Sequence, residues 1–413
     1  MAKTPPIHHA TIIDSFDVEN HNLKVGGVPL KQLAERVGQT PFYAYDRSKM
    51  TQRLAQLRQQ MPSELKIHYA MKANPMPAVV QHMASIVDGL DVASAGEMKV
   101  ALDTGMAANQ ISMAGPGKRP VELAQAIAAG ITVNIESFNE LEELAIQSNR
   151  LGIAATVAIR INPAFELKSS GMKMGGGPKQ FGIDEEQVPA ALKRLGALQL
   201  NFAGFHIFSG SQNLKSEAII EAQQKSIALA IKLADACPSP IRKLNIGGGL
   251  GIPYFPGETP LNIAPIAEAL DKEMQRAKQY LPDSSVIIEL GRYLVGEAGV
   301  YVTRIVDKKY SYQQLYLVTD GGLHHNLSAS GNFGQIIRKN YPLAIGNKMN
   351  WPEKEKTMIV GALCTPLDLL ADQMECSEAE IGDYVVVFQS GAYGLTASPA
   401  DFLCQPSAVE VLI

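Results

Sequence analysis

Lys72 stands near the end of the run His68-Tyr69-Ala70-Met71-Lys72-Ala73-Asn74-Pro75, where a short apolar stretch meets Asn-Pro, which cannot continue a central strand. Strand alternation puts His68, Ala70 and Lys72 on one face and Tyr69 and Met71 on the other, so the spacing predicts an amine at a strand's C-terminal mouth. In an α/β barrel that mouth is where catalytic groups collect, and a lysine held neutral there forms a Schiff base with a carbonyl. A solvated lysine at a strand end is the alternative.

Other segments could do related chemistry. In Leu244-Asn245-Ile246-Gly247-Gly248-Gly249-Leu250-Gly251 an apolar strand runs into consecutive glycines, whose backbone N–H groups can close around a phosphate; a plain glycine turn is the alternative. The spacing departs from the dinucleotide pattern G-x-G-x-x-G. Ile287-Ile288-Glu289-Leu290-Gly291-Arg292 ends a further apolar strand with a carboxylate and a guanidinium. The first suits a protonated pyridine nitrogen and the second a phosphate, against the simpler reading of a surface ion pair. His206 closes Gly204-Phe205-His206 ahead of Ile207-Phe208-Ser209-Gly210-Ser211-Gln212, small polar residues that could reach a ring or phosphate; a histidine satisfied in the core is the alternative. The adjacent His324 and His325 do not read as a metal site, because neighbours on a strand face opposite ways and no further ligand is close in sequence.

These residues need a scaffold that brings strand ends together. FYAY, KIHYAMK, GLDVAS, QISMAG, TVNIES, TVAIRIN, FAGFHIF, KLNIGG and SVIIEL are the strand candidates, and segments such as SAGEMKVALDTG and SFNELEELAIQSNRLG between them carry helical spacing. Strand and helix alternating over about 250 residues is the pattern of a TIM barrel, with a doubly wound sheet as the rival. After Gly291 the texture becomes β-rich (VYVTRIVDKKY, LYLVTDGG, KTMIVGAL, DYVVVFQSG, AVEVLI), which predicts a separate β domain. The expected division is residues 1–40 as an N-terminal β segment packing with the C-terminal domain, 41–290 as the barrel and 291–413 as the β domain. A chain of 413 residues is long enough for two cores.

Composition excludes several other classes. With 46% hydrophobic residues, 19% charged residues, a net charge of −4 and no basic run, nothing indicates nucleic-acid binding. The start MAKTPPIHHATIIDSF has no long apolar stretch behind a positive start, and no later segment reaches membrane-spanning length without charges, so the expectation is a soluble, cytoplasmic chain. Cys237, Cys364, Cys376 and Cys404 are too widely spaced for a disulfide framework or a zinc site.

Taken in order, YAMKAN, DVASAGE, GFHIFSGSQ, NIGGGLG, ELGR, TDGG, CTPLD and SGAYG span nearly the whole chain. The set resembles the fold type III pyridoxal-phosphate decarboxylases that act on diaminopimelate, ornithine and arginine. The resemblance implies an α/β architecture of a (β/α)8 barrel followed by a C-terminal β domain, alanine racemase-like, in a head-to-tail homodimer with two shared active sites. It implies that Lys72 holds pyridoxal 5'-phosphate as an internal aldimine and that His206 stacks on its ring. Glu289 would pair with the pyridinium nitrogen, while Ser209, Gly248, Gly249, Gly291, Arg292 and Tyr393 would bind the cofactor, mainly through its phosphate. Cys364 would return a proton to the substrate, and Cys364 and Asp368 would reach across the dimer interface, with Thr365 and Asp368 on the substrate side. For an isolated cysteine, inert packing would be the simpler reading.

One departure is informative. The residue after the catalytic cysteine is typically an acid in the ornithine and diaminopimelate enzymes, receiving the substrate's distal cation; here it is Thr365. A buried ammonium without a counter-charge is costly, so the expected substrate lacks a distal cation. INPAF, KMGGGPKQFG, GSQNL, GGGLGIPYF, CTPLD and GAYGLTASPADFL are most similar to the branch that decarboxylates a glutamyl group on an acyl-carrier protein in butirosin biosynthesis. Two alternatives stay open: an enzyme for a free amino acid such as diaminopimelate, and a non-catalytic relative serving as a binding module.

Overall fold

The computed structural model describes residues 12–165, 172–173, 175–335 and 337–413. The chain forms two compact units, one of them comprising Arg53–Ile252 and Pro260–Tyr293. Its strands are β1 (Lys66–Ala70), β2 (Gly89–Val92), β3 (Ile111–Met113), β4 (Thr132–Ile135), β5 (Thr156–Asn162), β6 (Asn201–Ile207), β7 (Lys243–Asn245) and β8 (Ser285–Leu290). All neighbours run parallel, and β8 pairs back onto β1, so the sheet closes into a barrel instead of the open doubly wound alternative. Helices follow β1 to β7, as a parallel sheet requires. Ile67, Leu90, Val133, Ile159 and Ile288 are buried at 0–1% exposure, each contributing about 1.5–3 kcal/mol relative to exposure.

Local sequence sets where several of these helices start. Ser94 caps the helix Ala95–Asp103 by accepting the Glu97 N–H at 3.2 Å, while Glu97 Oε2 accepts the Ala93 N–H at 2.7 Å. Ser137 and Glu140 repeat the arrangement on Phe138–Leu151, at 3.1 Å to the Glu140 N–H and 2.7 Å from the Glu136 N–H. Such a cap contributes about 1 kcal/mol, and a serine-to-alanine change would remove it. Both caps lie on loops leaving the strands' C-terminal ends. The β strand-end loops are thereby pinned where side chains converge.

The other unit comprises the described residues up to Gln52, Pro253–Thr259 and Leu294–Ile413. The five β-rich runs read after Gly291 all form strands: Gly299–Ser311, Gln314–Thr319, Lys354–Val360, Tyr384–Val387 and Val409–Leu412. Leu343–Ile345 and Leu369–Ser377 join the same sheet. The N-terminal segment makes its own three-stranded sheet, bonds to the stretch after Leu343–Ile345 through Leu23 N–H to Gly346 O (2.7 Å) and Met349 N–H to His21 O (2.9 Å), and shares a core in which Leu23, Leu30 and Leu33 meet Val300, Val302 and Phe388.

One strand candidate changes place. FYAY, read as a barrel strand, forms Phe42–Tyr45 and runs antiparallel to Gly299–Ser311 and parallel to Val409–Leu412. Its four residues are all buried, and a strand covered on both faces carries no alternation that would tell one sheet from another. The boundary at 41 accordingly differs from the division at Gln52 and Arg53, and Pro253–Thr259 leaves the barrel unit altogether. Among the described residues, no helix is long and apolar enough to cross a membrane. Met174, in the run KMGGGPKQFG, and residues 1–11 lie outside the described residues.

Candidate active site

Register places three polar side chains level with one another on adjacent barrel strands: Arg160 on β5 pairs with His206 on β6, and His206 with Asn245 on β7. Glu289 on β8 pairs with His68 on β1. All five are buried at 9% exposure or less. His206 faces this way because β6 carries one extra residue between Phe202 and Gly204, and such a bulge reverses the phase of alternation beyond it. Gly204 (φ +150°) permits it, since a β-carbon there would strike the Lys243 carbonyl.

Glu289 is the centre of the cluster. Its Oε2 accepts a hydrogen bond from Asn245 Nδ2 at 3.0 Å and lies 3.2 Å from His206 Nε2. The latter contact is off the line of a hydrogen bond, and neither His206 nitrogen has a hydrogen-bond partner. Burial alone would push the Glu289 carboxyl up, but His206, Lys72 and Arg160 outweigh it and hold it well below the usual carboxylate range. Arg160 is itself anchored by Glu136 at 2.9 Å, and Glu136 Oε2 accepts the Gly182 N–H at 3.1 Å.

Lys72 does not sit on the strand, as the alternation predicted. β1 ends at Ala70, and Met71–Ala73 form a single 3-10 turn, closed by Asn74 N–H to Met71 O at 3.0 Å. The turn wins over extension because Asn74 is held twice more, by Tyr69 Oη to its carbonyl (2.8 Å) and by the Met76 N–H to its Oδ1 (3.1 Å). Lys72 is exposed at the barrel mouth, its Nζ 5.6 Å from the centre of the Phe208 ring, and its charge acts on both Glu289 and Glu97.

Ser209, Gly210, Asn213, Ile246, Gly248 and Gly249 line a small hollow beyond β6 and β7. A side chain at Gly248 would strike the Glu289 carbonyl, and Gly249 holds φ +86° beside the Gly210 carbonyl. Only glycine fits this turn. Gly291 and Arg292 follow β8 directly, with Arg292 opening the short helix Arg292–Val295.

In the β-sheet unit, Cys364 is exposed and Thr365 half-buried. Thr365 Oγ1 accepts the Leu367 N–H at 3.3 Å, bracing its own turn. Asp368 is 3% exposed, and its two oxygens accept the Leu323 N–H (2.7 Å) and the Leu363 N–H (2.8 Å). Tyr393 adopts φ +54°, a left-handed backbone costing on the order of 1 kcal/mol, with its carbonyl held by Ser328 Oγ at 3.2 Å. His324 and His325 are not on a strand; they lie in a turn with ring centres 3.8 Å apart.

Residues 47–296 match the family described as pyridoxal-dependent decarboxylase, pyridoxal binding domain. The chain belongs to this family. It is 38% identical to the L-glutamyl-[BtrI acyl-carrier protein] decarboxylase of Niallia circulans, over 91% of this chain and 89% of that protein. It is 32% identical to the diaminopimelate decarboxylase of Aquifex aeolicus, over 96% and 92%. The structure of diaminopimelate decarboxylase from M. jannaschii with L-lysine superposes with a TM-score of 0.88 at 26% identity, covering 97% of this chain and 93% of that one. The chain is thus a pyridoxal-phosphate-dependent carboxy-lyase built as a barrel with a C-terminal β unit.

The decarboxylase residues suit that cofactor. Ser209 Oγ, Asn213 Nδ2 and both His206 nitrogens are buried without hydrogen-bond partners around the hollow and the Glu289 cluster. Glu289 Oε2 is held by Asn245 Nδ2 at 3.0 Å. Unpaired buried polar groups are costly, and a phosphate and a protonated ring would satisfy them. Sequence reasoning assigned no role to Arg160, Asn245 or Asp91, whose Oδ1 accepts Ser112 Oγ and lies 3.5 Å from His68 Nδ1. Each stands inside an otherwise apolar strand (TVAIRIN, KLNIGG, GLDVAS), and that intrusion was the available signal.

Proposed function

We propose that this decarboxylase removes the α-carboxyl group of an amino acid whose far end carries no cation, with an aminoacyl thioester on a carrier protein as the best-fitting case. The observation that carries this is the turn Gly361–Asp368, in which Thr365 follows Cys364 and the sole acid, Asp368, has both oxygens occupied by backbone N–H groups. That carboxylate is buried at 3% exposure, and no acid follows Cys364 to meet an ammonium. The relative acting on a carrier-bound glutamyl group supports the same reading.

Pyridoxal phosphate, when bound, takes up the electron pair left on Cα as carbon dioxide departs. Lys72 is the residue that would carry it. Ser209, Gly248, Gly249, Gly291, Arg292 and Tyr393 would bind it, chiefly at the phosphate, and His206 would lie against its ring. Glu289, kept ionised, would hold a proton on the ring nitrogen, and Cys364 would return a proton to Cα from its thiol. Each site would be completed by the β unit of a second copy, bringing Cys364, Thr365 and the Asp368-braced turn to the substrate.

The test is carbon dioxide release from a panel of free and carrier-linked amino acids. Turnover of a carrier-linked, uncharged side chain well above free diaminopimelate, ornithine, lysine and arginine is the expected result. Preference for a free diamino acid would overturn the substrate assignment and install the ordinary amino-acid decarboxylase in its place; no turnover of any member by cofactor-loaded protein would favour the binding-module alternative.

A further inference from the structure

We propose that Asn245 is a positioning residue that ties the glycine turn to the carboxylate of Glu289, so that the phosphate end and the ring-nitrogen end of the cofactor site are set by one amide. The inference rests on the proposed role of Glu289. Asn245 closes β7, 7% exposed, and both ends of its side chain are engaged. Nδ2 donates to Glu289 Oε2 at 3.0 Å, and Oδ1 accepts the Gly247 N–H at 2.9 Å. A third bond, Glu289 N–H to Gly247 O at 3.1 Å, closes a ring linking β8, the amide and the turn.

Residue chemistry restricts who can stand here. The position needs a short side chain with a donor at one end and an acceptor at the other. Aspartate would keep the acceptor for Gly247 but set a second carboxylate against Glu289, and two carboxylates that close cannot both stay ionised. Alanine would free Glu289 Oε2 and leave the Gly247 N–H buried and unpaired. With Oε2 pinned by Asn245, Oε1 is the oxygen that would meet the ring nitrogen of a bound cofactor. The amide therefore orients the carboxylate as well as bracing the turn.

The experiment compares N245A, N245D, E289Q and N245A/E289Q as full-length protein, measuring the dissociation constant of pyridoxal phosphate, the pH titration of the bound cofactor's absorbance, kcat and KM. N245A is expected to weaken cofactor binding about tenfold or more, through the turn, and to lower kcat in the direction of E289Q. N245D should keep most of the cofactor affinity, because Gly247 retains its acceptor, while shifting the absorbance titration. In the double variant the kcat loss should not exceed that of E289Q alone, because both changes act through one carboxylate. Strictly additive kcat losses, or a titration unmoved in N245D while E289Q moves it, would overturn the coupling and leave the Glu289 role standing. If E289Q itself moves neither titration nor kcat, the Glu289 reading fails first. Should N245A not fold, the isosteric N245D titration decides alone.

Discussion

Glu289 shows how several small terms add up to a function at the residue scale. Burial opposes its charge, yet the positive groups around it and the amide on Oε2 keep it ionised, which is the state a protonated ring nitrogen needs. Glu289→Gln is therefore expected to lower kcat by at least tenfold while changing cofactor affinity little; Arg292→Ala should do the reverse, raising the cofactor's dissociation constant first. Steady-state kinetics with cofactor titration separate the two, and full turnover by Glu289→Gln would remove it from the chemistry. Lys72 makes a covalent prediction. Borohydride reduction of the cofactor-loaded protein and peptide mapping should find a pyridoxyl group on Lys72, and a label on any other lysine would sink that assignment.

Among the elements, the loop after Gln314–Thr319 connects several turns within its unit. Its Leu323 N–H holds Asp368, Asn332 Nδ2 reaches the Leu367 carbonyl at 3.1 Å, and Ser328 reaches Tyr393, so the turns bearing Cys364 and Tyr393 share one brace. His325 locks that loop: its Nε2 donates to the Pro406 carbonyl at 2.8 Å, which leaves Nδ1 to accept from Tyr301 Oη at 3.3 Å. Burial first, then His324, pushes His325 down from 6.5 to about 4, against the opposing pull of the Pro406 bond, Asp320 and Asp368. A histidine whose folded value is depressed binds more protons unfolded than folded, so its stabilisation is full above pH 6.5 and is lost as pH falls toward 4. The loss should reach about 3 kcal/mol for this group. Urea unfolding at stepped pH should show it, and His325→Gln should flatten the slope; parallel slopes in the two proteins would mean that His325 is not the titrating group.

For the whole molecule, the decisive proposal is that two chains build each site. Lys72 belongs to the barrel unit and Cys364 to the β unit. If a second copy supplies Cys364, mixing inactive Lys72→Ala and Cys364→Ala proteins should restore one intact site per heterodimer, about half the activity of a wild-type dimer after allowing for statistical exchange. Subunit exchange is verified independently by native mass spectrometry of tagged chains. No recovery despite proven exchange would show that both residues act within one chain.

The linear order of residues was enough to define the repeat of strand and helix, the change to β-rich texture after Gly291, and His206 and Glu289 toward the ends of apolar strands. Each of these is a local pattern in which side-chain period or an intrusive charge is visible within ten residues. Packing decided the rest. FYAY joined the β unit because its partners, Gly299–Ser311 and Val409–Leu412, lie hundreds of residues away and leave no local mark on a strand buried on both faces. Lys72 left the strand because Tyr69 and Met76 fold Asn74 into a turn, and His206 turned inward because one extra residue in β6 is measured only against β5. Asn245 reached Glu289, and Asp368 the Leu323 N–H, through hydrogen bonds between groups more than forty residues apart, which only the closed barrel and the folded loops bring to 3.0 Å and 2.7 Å.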